Sequence, residues 1–203
     1  MKKIFVTVSV LISLLGFSQN TGTALQFGVK GGGNLSSLMP SDKDRLFELS
    51  SKLGYYSGFF LNYKFNKSMA LQPELLYNLK GEAYKDFETG IEGNFDRTYI
   101  SLPLMFQYII NQNIYGEIGP EFSYLISAKQ TTKNNEYEPV DIKRVYNTFD
   151  IGLGFGAGYK FSPGFSVGLR YTFGITPVYK EQADYEVYKA TNGNFQMGIN
   201  YYF

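Results

Sequence analysis

Residues 149–161 read FDIGLGFGAGYKF. Large apolar side chains hold one alternate set, Phe149, Ile151, Leu153, Phe155, Tyr159 and Phe161, with Ala157 among them. Glycine fills most of the other set, at Gly152, Gly154, Gly156 and Gly158. A period of two belongs to a strand, whose successive side chains point to opposite faces. The pattern recurs seven times more, over 25–33, 54–65, 69–81, 97–108, 114–127, 165–174 and 194–203. Each run has nine residues or more. That exceeds the ~5–6 residues usual in globular sheets and suits the ~9–11 residues a tilted strand needs to cross a bilayer.

The links between the runs alternate in length. After the even-numbered runs come tight turns at 66–67, 109–113 and 162–164; after the odd-numbered runs come long links at 34–53, 82–96, 128–146 and 175–193. Short turns at one end and long loops at the other are the mark of an outer-membrane barrel. The predicted fold is therefore all-β: an eight-stranded antiparallel up-and-down transmembrane β-barrel over 19–203, with both termini on the periplasmic side.

A soluble β-sandwich shares the alternation, with apolar residues toward its core and polar ones toward water. Two features argue against it besides the long strands and uneven loops. Tyrosines lie near strand ends at Tyr63, Tyr77, Tyr108, Tyr159 and Tyr201, where an aromatic girdle sits. The chain carries 18 Tyr, 18 Phe and 22 Gly, and the glycines crowd the polar face. Glycine weakens a strand unless something approaches it closely. In an eight-stranded barrel the interior is just wide enough for side chains to fill, so glycines there leave room for long side chains from opposite strands. A lipocalin-like barrel fails because its lumen would be the apolar face.

The first residues, MKKIFVTVSVLISLLGFSQ, give a basic start at Lys2 and Lys3, a short apolar run, and small residues at Gly16 and Ser18. This predicts a secretory signal peptide over 1–18, cut before Gln19, and export to the outer membrane. The apolar run is too short for a helix that must cross ~30 Å of hydrocarbon. Without the two lysines the chain holds 17 basic and 18 acidic residues, a balance that points to no nucleic-acid partner. There is no cysteine to staple the fold and no histidine, the usual general base and a common metal ligand. Pro73, Pro103 and Pro120 fall inside predicted strands, where each removes a ladder hydrogen bond, so bulges are expected there.

The segments GVKGGGNLS (28–36), LQPELLYNLKG (71–81), YISLPLMFQY (99–108), IYGEIGPEFSYLIS (114–127), GLRYTFG (168–174) and NYYF (200–203) resemble the small outer-membrane barrels of Bacteroidota, the porin-like or PorT-type family. The likeness covers essentially the whole mature chain, with loose motifs. It implies a barrel type and no catalytic residues. One member of that family is linked to a protein secretion system, and nothing in this chain is specific to that role.

GLGFGA at 152–157 matches the dinucleotide fingerprint, but strand alternation continues after it where a helix would have to begin. Known outer-membrane lipases, acyltransferases and proteases resemble one another in using an active-site histidine, which is lacking here. Glu117 and Glu121 share a face, yet lumenal acids more often pair with bases than catalyse. The sequence thus nominates no catalytic residue, no cofactor and no metal site. It nominates a lumenal ion cluster of Lys30, Glu74, Glu117, Glu121 and Arg170, with Arg170 paired to Glu74, Glu121 or both. It also nominates a C-terminal assembly signal of Ile199, Tyr201 and Phe203, read by the barrel-assembly machinery. The expected role is a monomeric scaffold presenting four extracellular loops to an envelope-protein partner, surrounded by outer-membrane lipid and lipopolysaccharide. The alternative is a narrow or gated pore for small solutes.

Overall fold

The computed structural model describes residues 25–40, 47–86, 89–133, 138–162, 164–180 and 190–203. The signal peptide assigned to residues 1–18 lies outside them. Among the described residues nine strands follow in order: β1 (Leu25–Pro40), β2 (Phe47–Lys64), β3 (Met69–Asp86), β4 (Glu92–Ile109), β5 (Ile114–Thr132), β6 (Val140–Asp141), β7 (Phe149–Ser162), β8 (Phe165–Gly174) and β9 (Ala190–Tyr202). Each long strand pairs antiparallel with the next. β1 also pairs with β9, which closes a ring of eight staves. The two-residue β6 occupies the edge of β5 above the point where β7 ends.

The alternation runs through this ring. Phe59, Leu61, Leu75, Leu102, Phe106, Ile118, Phe122, Phe155, Leu169 and Met197 point outward, and the glycines and polar residues between them point in. Tyr63, Tyr108, Tyr159 and Tyr201 ring the end with the tight turns, while Tyr55, Tyr77 and Tyr124 ring the other. Eight residues separate Tyr63 from Tyr55 on β2. At ~3.3 Å per residue and a tilt near 40°, that is about 20 Å of height, close to the ~25 Å apolar band of such barrels.

Two expectations need correction. Residues 34–40, 47–53, 82–86 and 92–96 are not loops: β1 through β5 run 16 to 19 residues. Backbone pairing continues above the membrane, where outward positions need no apolar side chain, and Ser37, Lys85, Asp96 and Lys129 stand there. The periodicity fades while the ladder does not. The wall is uneven, because β7 has 14 residues and β8 only 10.

The prolines do not mark bulges. The pairing opens for two positions beside each of them, between Phe60↔Glu74 and Tyr63↔Leu71, between Pro73↔Leu104 and Leu76↔Ser101, and between Pro103↔Glu121 and Phe106↔Ile118. It then resumes in the same register. A missing N–H removes a bond but adds no residue, so the parity of every side chain is kept. The register shifts lie elsewhere, at Ser51/Tyr56 on β2, Thr98/Tyr99 on β4 and Lys160/Ser162 on β7.

Candidate functional site

The described lumen is filled by side chains. At mid-depth Arg170 of β8 donates two hydrogen bonds of 2.8 Å to the Glu74 carboxylate of β3. Its Nε donates to Glu117 of β5 at 2.7 Å. Lys30 of β1 donates to both oxygens of Glu74 at 3.0 and 3.1 Å. Gln72 and Gln107 extend the network, donating to Glu74 at 2.8 Å and to Glu117 at 3.1 Å. Two cations face two anions, and the Glu74 side chain has no exposure to solvent.

The glycines explain how these groups meet. Glu117, Gly156 and Arg170 lie in one cross-strand row, on β5, β7 and β8. The strand between the two charged residues therefore presents no side chain. A Cβ on Gly156 would stand 3.1 Å from the Glu117 Oε1, and one on Gly154 3.6 Å from the Arg170 Cδ. Gly158 gives the same clearance to the Tyr115 ring and Gly28 to Phe60. The stretch FDIGLGFGAGYKF is thus a stave with lipid on its apolar face and its neighbours' long side chains across its bare one.

Four of the five nominated charges meet in this cluster. Glu121 does not join Arg170. Lys80 of β3 takes it at 3.0 Å, and Thr172 donates to its other oxygen at 3.2 Å. Higher still, Arg97 of β4 and Glu82 of β3 form a fully buried bidentate pair. Lys80, Glu82 and Arg97 escaped the sequence reading because they fall at the edge of, or within, a presumed loop. Their parity was visible: Asn78, Lys80 and Glu82 continue the polar set of β3.

Side chains pack together at both ends of the described barrel. At the extracellular mouth, residues 142–148 and 175–180 turn inward and bond to one another. Asn147 N–H donates to Val178 at 2.8 Å and Lys180 N–H to Val145 at 3.0 Å. Tyr146 and Tyr179 stack at 5.1 Å, and Tyr146 covers the Arg97 guanidinium at 5.4 Å. Leu38, Tyr99, Leu125, Ala128, Val178 and Ala190 pack around them in an apolar cap. Burial pushes the Tyr146 phenol up to about 12 and raises that of Tyr179 as well. At the periplasmic end Phe60 meets Tyr202 edge to face at 4.9 Å, and the Lys160 ammonium lies 4.9 Å from the Tyr202 ring and 5.6 Å from that of Tyr115.

Ile199 and Tyr201 point outward on β9, each about half exposed. Phe203 follows the strand, donates its N–H to Phe27 at 2.9 Å and stacks on the Phe27 ring at 5.9 Å. Among the described residues no group of three or more acidic side chains is placed to hold a metal ion.

Comparison with known proteins fits this architecture. The model of the outer membrane protein beta-barrel domain family matches residues 17–180. The chain belongs to this family. Membership implies an outer-membrane location. Among solved structures, Neisserial surface protein A aligns with a TM-score of 0.55 at 14% identity, over 87% of this chain and 97% of that one. Ail, the attachment invasion locus protein of Yersinia pestis, aligns with a TM-score of 0.50 at 16% identity, over 89% of this chain and 100% of its own. At such identities the likeness speaks for the eight-stranded fold alone. No curated protein sequence matches the chain.

Proposed function

We propose that this barrel is a non-conducting, non-enzymatic scaffold in the outer membrane that presents its extracellular end to a partner in the cell envelope. The reading rests on one observation: the lumen is filled by paired charges at three heights and capped by apolar packing at its mouth. An eight-stranded barrel has little room to spare. Here three successive ion clusters, Lys30–Glu74–Arg170–Glu117, Lys80–Glu121 and Arg97–Glu82, take it up. A permeating ion would have to break buried pairs one after another, each worth several kcal/mol to separate.

The tall staves β1 to β5 rise clear of the membrane, as a rigid frame for a binding surface. The same reading includes export by the signal peptide over 1–18, assembly through Ile199, Tyr201 and Phe203, a monomeric state, and a Gram-negative host of the Bacteroidota type that the sequence resembles. Planar-bilayer recording of the purified, refolded chain tests the closed lumen, together with cell-surface cross-linking. The expected outcome is no steady conductance and one specific cross-linked envelope protein. Stable single-channel steps from the wild-type chain would overturn the scaffold and leave the pore.

A further inference from the structure

Among the described strand residues, the outward charges above the girdle lie on one side of the wall. On β2 to β5 and the segment that follows, Lys52, Lys85, Lys129, Lys133 and Lys143 stand on or over the outward face. The corresponding outward positions of β1 and β9 are Leu35, Ser37, Met39, Thr191, Gly193 and Phe195, none of them charged. The register shift on β2 brings Lys52 over Gly81 to pair with Asp96. Lys129 sits opposite Asp96 on the next strand. The Lys143 ammonium lies 6.0 Å from the Tyr124 ring and donates to the Ile126 carbonyl at 3.2 Å, on the rim of the apolar band.

One level higher the strip holds a cavity of about 400 Å³, lined by Ser50, Ala83, Lys85, Glu92, Asn94 and Lys133 among others. Glu92 stands between two ammonium groups, 3.8 Å from that of Lys85 and 2.6 Å from that of Lys133. Its hydrogen bond and proximity to Lys133 lower the Glu92 pKa and raise that of Lys133, so this pair stays charged. The carboxylate holds the two cations beside the cavity, and both remain more than half exposed.

Height decides what such a strip can meet. Leu79 is the last large apolar side chain on the outer face of β3. The Gly81, Asp96 and Lys129 row is two residues above it, and Lys85 with Glu92 and Lys133 is six residues above it. At ~3.3 Å per residue and a tilt near 40°, these rows stand about 5 and about 15 Å above the apolar edge. The cations point sideways from the wall, toward whatever amphiphile lies beside the barrel.

We propose that the β2–β5 face is a binding site for a phosphorylated glycolipid of the outer leaflet. Its acyl chains would lie along Tyr77, Leu79, Ile100 and Tyr124, its inner phosphates would meet Lys52, Lys129 and Lys143, and its outer phosphorylated sugars would enter the cavity between Lys85 and Lys133. A free polyanion could use the lysines but not the apolar wall below them. The proposal rests on the outer-membrane placement, and on neither the closed lumen nor the loop partner.

The test uses the refolded chain and a Lys85→Ala/Lys129→Ala/Lys133→Ala variant, with Lys67→Ala in a periplasmic turn as control. Each is placed in bilayers of phosphatidylcholine alone, with phosphatidylglycerol, or with lipopolysaccharide at matched negative charge. Bound lipopolysaccharide is counted after detergent extraction, and the urea midpoint is read by the gel shift. Lipopolysaccharide is expected to remain with the wild type and the control and to raise their midpoint. The triple variant should retain at least about tenfold less, since each basic residue near an anionic surface is worth ~1 kcal/mol, and should match the wild type in phosphatidylcholine. Equal retention by wild type and triple variant overturns the site. Equal protection by phosphatidylglycerol overturns the glycolipid in favour of bare charge. Failure to insert into any of the bilayers overturns the membrane placement itself, and the site with it.

Discussion

Replacing Arg170 by alanine removes more than one contact. Its guanidinium makes a two-pronged bond to Glu74 and a further bond to Glu117, and its side chain is 4% exposed. The variant leaves Glu74 with Lys30 as its one cationic partner and Glu117 with only Gln107. Breaking a buried pair by removing one partner costs about 3–5 kcal/mol, because the other charge stays where water cannot reach it. Urea slopes near 1–3 kcal/mol per molar put the midpoint lower by roughly 1–5 M. The measurement is urea unfolding in lipid vesicles, read from the gel mobility of folded and boiled protein. The partners can be told apart. Glu74→Gln combined with Arg170→Ala should recover on the order of 1–2 kcal/mol of the summed single losses, since the two share a bond. Glu121→Gln should add to Arg170→Ala with little recovery, because its bond is to Lys80. If Arg170→Ala unfolds at the wild-type midpoint, water fills the lumen, and the closed scaffold falls with the ion cluster.

Leu153 is the outward neighbour of two lumenal glycines, so Leu153→Arg should cost about 2–4 kcal/mol in a bilayer; spin labels at 153 and 154 with equal lipid accessibility would undo the assignment of faces. Gly158→Ala would put a methyl into the Tyr115 ring, and a loss of about 1–3 kcal/mol in urea is expected, whereas Gly90→Ala, at a φ of 69° with open space around its Cβ, should be felt only through backbone strain. Deleting Phe203 should lower outer-membrane levels in cells while refolding into vesicles stays efficient, because the lost stacking on Phe27 is small; normal surface levels would count against the assembly signal.

The membrane-spanning part of this fold was legible because lipid enforces it. A stave in hydrocarbon favours apolar side chains at its outward positions, as at Ile151, Leu153 and Phe155. Above the membrane that preference lapses, and with it the signal. Ser50, Ala83 and Asn94 are strand residues with nothing in their chemistry to say so; only their neighbours' backbones hold them in the ladder. The prolines misled for a related reason. A missing N–H suggests a bulge on an isolated strand. In a closed ring, the same strand is also held to its other neighbour, so the pairing opens locally at Pro73 or Pro103 and the register survives.

The ion cluster shows where strand periodicity stops being informative. Parity puts Lys30, Glu74, Glu117, Glu121 and Arg170 on one face, and counting along each strand gives Lys30, Glu74, Glu121 and Arg170 similar heights. Choosing partners needs the stagger between staves, which no single strand carries. Glu117 and Glu121 are four residues apart on β5, about 13 Å along the strand at ~3.3 Å per residue. Only the lower one shares a row with Gly156 and Arg170. The row of Glu121 instead runs through Gly152 to Gly174, bare on both following staves. Its carboxylate is therefore left to Lys80, which reaches it from two staves away on the other side. The glycines that raised the first question about this sequence also decide its electrostatics: where the row is empty, the charge must find its partner across the lumen.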